Sequence, residues 1–175
     1  MAALDDAMWE FPGAYKGDLI KMKSMGGDDV HIRHGEGEYV YSNSFFAYAG
    51  SFKRNIKEGK GRLLLGDQDG NDNYYVGEFK NGQITGKGIR KYADGRVYKG
   101  DFFEGLMHGQ GTLQDTHGEY SGSFNENYKE GQGWQRWKNG DEYEGEFRQG
   151  YPSGKGRYLT SSGELSYEGQ WALSE

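Results

Sequence analysis

A tyrosine, a variable residue and a glycine recur seven times along this chain, at Tyr15, Tyr48, Tyr75, Tyr98, Tyr120, Tyr143 and Tyr167. The tyrosines step by 33, 27, 23, 22, 23 and 24 residues, so the period settles near 23 after two longer N-terminal intervals. A fixed period of this length marks an array in which each repeat is one supersecondary unit that buries its apolar face against its neighbours.

A Gly-x-Gly follows each of the five copies from Tyr48 to Tyr143, its first glycine nine residues beyond the Tyr-x-Gly glycine, as from Gly100 to Gly109. In the first copy the interval from Gly17 to Gly35 is eighteen, which places an insertion within "IKMKSMGGDDVHIR". In an extended segment, alternate residues share a face, so Tyr98, Gly100 and Phe102 point one way while Lys99 and Asp101 point the other. Rings of one strand are expected to lie over glycines of its neighbour, which combines aromatic burial with close backbone approach.

Turn residues divide the repeat. Five residues beyond the Tyr-x-Gly glycine stand Asn55, Gly82, Gly105, Asn127 and Gly150, the two residue types that best tolerate positive φ. Nine residues beyond the Gly-x-Gly start stand Gly95, Gly118, Gly140 and Gly163, a second turn set joining one hairpin to the next. Each repeat is then two short antiparallel strands in a continuing meander. Two strands per repeat at about 4.8 Å each predict a single-layer rod on the order of 60 Å long.

Composition agrees. Only 34% of the 175 residues are apolar and 31 are glycine, too little for a thick globular core, while 15% are aromatic, too many for a disordered chain. The absence of cysteine excludes disulfides, thiolate metal sites and thiol nucleophiles. A net charge of −6 opposes nucleic-acid binding, which depends on neutralising phosphates. "MAALDDAMWEF" is too acidic for a signal peptide and no apolar run nears twenty residues, so a soluble cytoplasmic protein is expected.

The pattern Tyr-x-Gly-x-Phe, Gly, His-Gly-x-Gly and then Asp-Gly resembles the MORN repeat (membrane occupation and recognition nexus). The resemblance covers residues 15–171, with 1–14 as an N-terminal capping segment and 172–175 as a tail. "YVYSNSFFAYAGSFKRNIKEGKGRLLL" followed by "YVGEFKNGQITGKG" is also similar to the opening repeats of ciliary-type MORN repeat-containing proteins. Departures are the two N-terminal insertions, Ser44 in place of a turn glycine, and a last copy that stops after Trp171. The resemblance implies an all-β, elongated, twisted single-layer antiparallel sheet of about six repeats plus a partial seventh. It implies roles in protein docking, cytoskeletal or ciliary assembly and membrane apposition, and no catalysis.

No catalytic, metal or cofactor site is expected. The position of His108 is filled in the six Gly-x-Gly copies by His34, Glu58, Thr85, His108, Glu130 and Ser153, which marks a turn-flanking structural residue. Asp67, Asp69, Asn71 and Glu78 fall at places 1, 3, 5 and 12 of a calcium loop, but Asp72 stands where that loop needs glycine. Leu4, Ala7, Met8 and Phe11 have the spacing of a short helix ended by Pro12-Gly13, read as a cap on the first repeat.

The expected function is a non-enzymatic scaffold that holds a cytoskeletal or axonemal protein against an aromatic face formed by Tyr75, Phe79, Tyr98, Phe102, Tyr120, Phe124, Tyr143 and Phe147. The alternatives are a peripheral membrane adaptor using a basic stripe of Lys53, Arg54, Lys57, Lys60 and Arg62 on anionic lipid, and a recognition module of a larger enzyme. Against the stripe stand Glu78, Asp101, Glu142 and Glu146, read as a solvated acidic row. The strand from Tyr167 to Trp171 lacks a Gly-x-Gly partner, leaving an edge that another strand or a second copy could pair with.

Overall fold

The computed structural model describes residues 13–42, 45–66 and 73–172, and among these every regular element is a β-strand. The helical cap, Ser44 and the loop places Asp67, Asp69, Asn71 and Asp72 lie outside the described residues, while Gly13 and Ala14 already belong to the first strand. Two compact units divide the chain, Met1–Gly82 and Gln83–Glu175. The first holds β1 (Gly13–Lys23), β2 (Asp29–Tyr41), β3 (Phe46–Lys53), β4 (Ile56–Leu65) and β5 (Tyr74–Lys80). The second holds β6 (Gln83–Lys91), β7 (Val97–Phe103), β8 (Leu106–Gln114), β9 (Gly118–Asn125), β10 (Tyr128–Trp137), β11 (Glu142–Arg148), β12 (Tyr151–Leu159) and β13 (Leu165–Trp171). Within each unit, strands pair antiparallel with their sequence neighbours, so the expected meander of hairpins is the fold.

Beyond the first copy the turns within hairpins are two residues long, and both residues take positive φ: Glu104 and Gly105 at 49° and 83°, Glu126 and Asn127 at 47° and 74°. This is the type I′ geometry whose twist matches that of the flanking strands. Asn127 adds a contact that glycine lacks. Its amide donates to the Met107 carbonyl at 3.0 Å while its Oδ1 accepts from the Met107 amide at 2.9 Å, stapling one hairpin to the one before. Asn55 and Arg33 repeat the arrangement.

Turns between hairpins place Gly95, Gly140 and Gly163 at φ of 84–90°. Gly118 departs from the expectation. It opens β9 opposite Trp137, and the turn before it closes from the Asp115 amide to the Gly118 carbonyl, one residue tighter than the Tyr92-to-Arg96 closure. The 22-residue step from Tyr98 to Tyr120 records this shortening. The insertion in the first copy lengthens β1 and β2 into a hairpin arm that turns at Ser24 and Asp28.

Tyrosines carry the core. Tyr48, Tyr75, Tyr98, Tyr120 and Tyr143 are the largest fully buried side chains. Each ring lies along the sheet, and its hydroxyl donates to the carbonyl three residues on, as from Tyr98 to Asp101 at 2.9 Å and from Tyr143 to Glu146 at 2.9 Å. The phenol thereby buries its ring without leaving its polar end unpaired.

Phenylalanines interleave with the tyrosines edge-to-face. In the second unit Tyr98 meets Phe102 and Phe124 at 5.0 Å, Tyr120 meets Phe124 and Phe147 at 5.1 and 4.8 Å, and Tyr143 meets Phe147 and Trp171 at 5.2 and 5.0 Å. Trp171 thus fills the phenylalanine place of the last copy. Each such pair adds about 0.5–1.5 kcal/mol beyond area burial, so the ladder couples every hairpin of the unit to the next.

Candidate functional site

The strand aromatics expected to receive a partner are themselves the interior. Tyr75, Phe79, Tyr98, Phe102, Tyr120, Phe124, Tyr143 and Phe147 are all buried, and Tyr98, Tyr120 and Tyr143 lie against glycine backbone as well as against neighbouring rings. Alternation placed them correctly on one face, but only the assembled ladder shows that they cover one another.

Cations close over this face in places. Two residues before the Gly-x-Gly start stand Arg33, Lys57, Ile84, Met107, Lys129 and Pro152. The Arg33 guanidinium lies 4.6 Å from the Tyr39 ring centre, Lys57 Nζ lies 5.4 Å from that of Tyr48, and Lys129 Nζ lies 4.9 Å from that of Tyr120. Lys129 also donates to Oε1 of Gln135 at 2.5 Å, and Gln135 is buried. Burial pushes the Lys129 ammonium below the usual lysine range, with the Asp115 charge opposing. Burial likewise pushes the Tyr48 and Tyr75 hydroxyls up to about 12.

The basic cluster is split between faces. Lys57 pairs with Phe52 and lies on the aromatic side, whereas Lys60 and Arg62 pair with Glu78 and Val76 on the opposite, outer side. Lys53 shares that outer side beside Ile56, and Arg54 sits in the turn at φ 50°. The strand is irregular at Gly59, but Lys57 and Lys60 stand three residues apart, so alternation itself sets them on opposite faces and the five residues form no single stripe.

That irregularity is general. The first glycine of each Gly-x-Gly sits at positive φ, and at Gly35, Gly59, Gly109, Gly131 and Gly154 the register shifts in a bulge, Gly109 at 61° between the pairs Gly100 with Gly111 and Asp101 with His108. The bulge frees the amide of the next residue, and Asp101 Oδ2 accepts it from Gln110 at 3.0 Å, as Asp18 does from Glu36 and Glu146 from Lys155. Asp101 and Glu146 are therefore bulge caps as well as members of an acidic row. The Lys87 ammonium, 2.5 Å away, and the Gln110 amide hold the Asp101 carboxyl below the usual range. The capping role was legible as a run of acceptors at one repeat position, Asp18, Ser51, Glu78, Asp101, Ser123 and Glu146.

The position of His108 is also structural. Its counterparts reach the next hairpin turn: Glu58 Oε2 accepts the Asn81 amide at 2.9 Å, Glu130 Oε2 accepts the Gln149 amide at 3.0 Å, and His34 Nδ1 accepts that of Arg54 at 3.4 Å. Among the described residues no group of three acidic or histidine side chains could hold a metal ion.

The outer face of the second unit carries apolar side chains beside the hairpin turns. Phe103 is 57% exposed, Leu106 38%, Tyr128 58% and Tyr151 67%. Leu106 pairs with Phe103, Tyr128 with Asn125 and Tyr151 with Arg148, each partner following a ladder phenylalanine and so pointing outward. Two shallow hollows on the outer face are lined by described residues. One, of about 450 Å³, lies over Gly145, Gly156 and Gly169 and is walled by Glu144, Arg157 and Glu168. The other, of about 260 Å³, lies in the first unit over Ala47 and Ala49 between Val40 and Leu64. The Arg157 guanidinium that walls the first hollow is held by Glu144 at 2.5 Å.

The family described as MORN repeat matches the chain at residues 31–44, 48–70, 75–95, 98–116, 120–142 and 143–164, well over half of its length. Alsin of Rattus norvegicus is 32% identical over 82 residues, 46% of this chain and 5% of alsin. Alsin of Homo sapiens shows the same identity and coverage. The human ALS2 C-terminal-like protein is 34% identical over 82 residues, 46% of this chain and 8% of that protein. Among solved structures, one titled "Structure of the E1021V mutant of the TCP10 domain of Danio rerio CPAP" aligns over 89% of this chain and 90% of that one, at 15% identity and a TM-score of 0.29. A likeness of that size carries no argument about this fold or its role.

Proposed function

Because the chain belongs to the MORN-repeat family, whose repeats form protein- or membrane-binding modules, we propose that it is a non-enzymatic scaffold for a protein partner in a cytoskeletal or ciliary assembly. The observation that carries this reading is the exposure of Phe103, Tyr128 and Tyr151 on one face. Exposed aromatic rings grouped on a folded surface have the composition of a protein interface core. The partner meets this outer face, since the ladder rings are already covered.

The test is fractionation of cells that make the tagged chain at native level. Retention in the detergent-insoluble cytoskeleton or axoneme together with a stoichiometric protein is the expected result. Complete release by detergent, with binding to anionic vesicles lost on charge reversal of Lys53, Lys60 and Arg62, would replace it with the membrane-adaptor reading.

A further inference from the structure

Resting on the scaffold reading, we infer that the outer turn-side margin of the second unit receives one partner α-helix lying across the strands, its apolar residues repeating every seven. The residue after the hairpin turn is Leu106 in β8, Tyr128 in β10 and Tyr151 in β12. These are equivalent positions of successive repeats, so they form a row across the sheet, with Phe103 paired to Leu106 at one end. One strand lies between each member and the next, so two inter-strand spacings give a step of about 10 Å. Two turns of an α-helix, seven residues, rise about 10.5 Å. A helix with apolar side chains at i, i+7 and i+14 therefore meets all three in register. An extended segment would cover the same step in about three residues.

Charge narrows the partner further. Glu104 and Glu126 occupy the turns beside the row and Glu130 lies one alternation inward from Tyr128, with Arg148 the opposing cation. The matching helix carries lysine or arginine beside its apolar stripe where it passes Leu106 and Tyr128, and an acidic or neutral residue where it passes Tyr151.

The experiment places a photo-crosslinking residue in the full chain, Tyr128→p-benzoylphenylalanine and separately Tyr151→p-benzoylphenylalanine, and maps the captured positions in cells. Both positions are exposed, so the fold is kept, and far-ultraviolet circular dichroism checks it. The expected result is one partner segment, captured at sites seven residues apart within an apolar heptad pattern. A synthetic peptide of that segment should then bind the wild-type chain, and the double variant Tyr128→Ser, Tyr151→Ser should bind it about tenfold or more weakly. Capture sites about three residues apart, capture of lipid, or no capture would each overturn the inference. So would equal affinity of the double variant. A partner captured in extended form, with cytoskeletal retention intact, would overturn the helix while leaving the scaffold reading standing; loss of all retention of the wild-type chain would overturn that reading itself.

Discussion

The ring of Tyr98 lies across the backbone of Gly111 so closely that a β-carbon there would stand 2.4 Å from the phenolic oxygen and 2.5 Å from Cε2 and Cζ. Gly111 faces Gly100 on one side and Gly122 on the other, so the ring occupies a trough that only glycine leaves open. The same relationship joins Tyr120 to Gly133 and Tyr143 to Gly156.

Gly111→Ala should therefore force the tyrosine out of its seat. Overpacking of this kind costs about 1–3 kcal/mol, and the loss should appear as a lower midpoint in urea with an unchanged slope. Tyr98→Phe keeps the ring and removes the hydroxyl that donates to Asp101, a loss of about 1 kcal/mol by the same measurement.

Lys129 and Gln135 occupy the repeat positions that Met107 and Leu113 fill one hairpin earlier, where both are buried. Lys129→Met alone leaves the buried Gln135 carbonyl without its donor and should cost about 1–3 kcal/mol. The double variant Lys129→Met, Gln135→Leu restores an apolar pair already accommodated by this fold and should recover the stability of the wild type or exceed it. A double-mutant cycle by chemical denaturation reads the coupling.

Asn127→Gly keeps a residue at ease at φ 74° while removing the acceptor for the Met107 amide. The staple between hairpins should weaken by about 1 kcal/mol. Amide hydrogen exchange at Met107 should quicken, whereas His108→Ala, next to it but outward and exposed, should change stability by no more than about 0.5 kcal/mol.

Alkaline pH should unfold the array cooperatively. Tyr48 and Tyr75 are raised from 10.0 to about 12 by burial, and Tyr98 and Tyr120 are raised in the same direction. With the folded pKa above the unfolded one, the native state binds more protons in this window. The stabilisation is thus complete below pH 10.0 and is lost as pH rises through about 12. Tyrosinate absorbance at 295 nm and circular dichroism should change together, in place of gradual titration of exposed phenols.

The sequence by itself determined the repeat, its period, the hairpins and the face of every ladder ring, because side-chain alternation and turn chemistry are local properties of the chain. Even the tighter turn before β9 is written in the 22-residue step. Tertiary structure decided what those faces do. Tyr98 is exposed or sealed according to whether Phe102 and Phe124 stand beside it. The acids at the bulges likewise acquire meaning only when residues nine or more positions apart become neighbours, and the row from Leu106 to Tyr151 only when residues more than twenty apart do. Burial and cross-strand pairing depend on atoms brought together by folding, and local pattern carries no term for them.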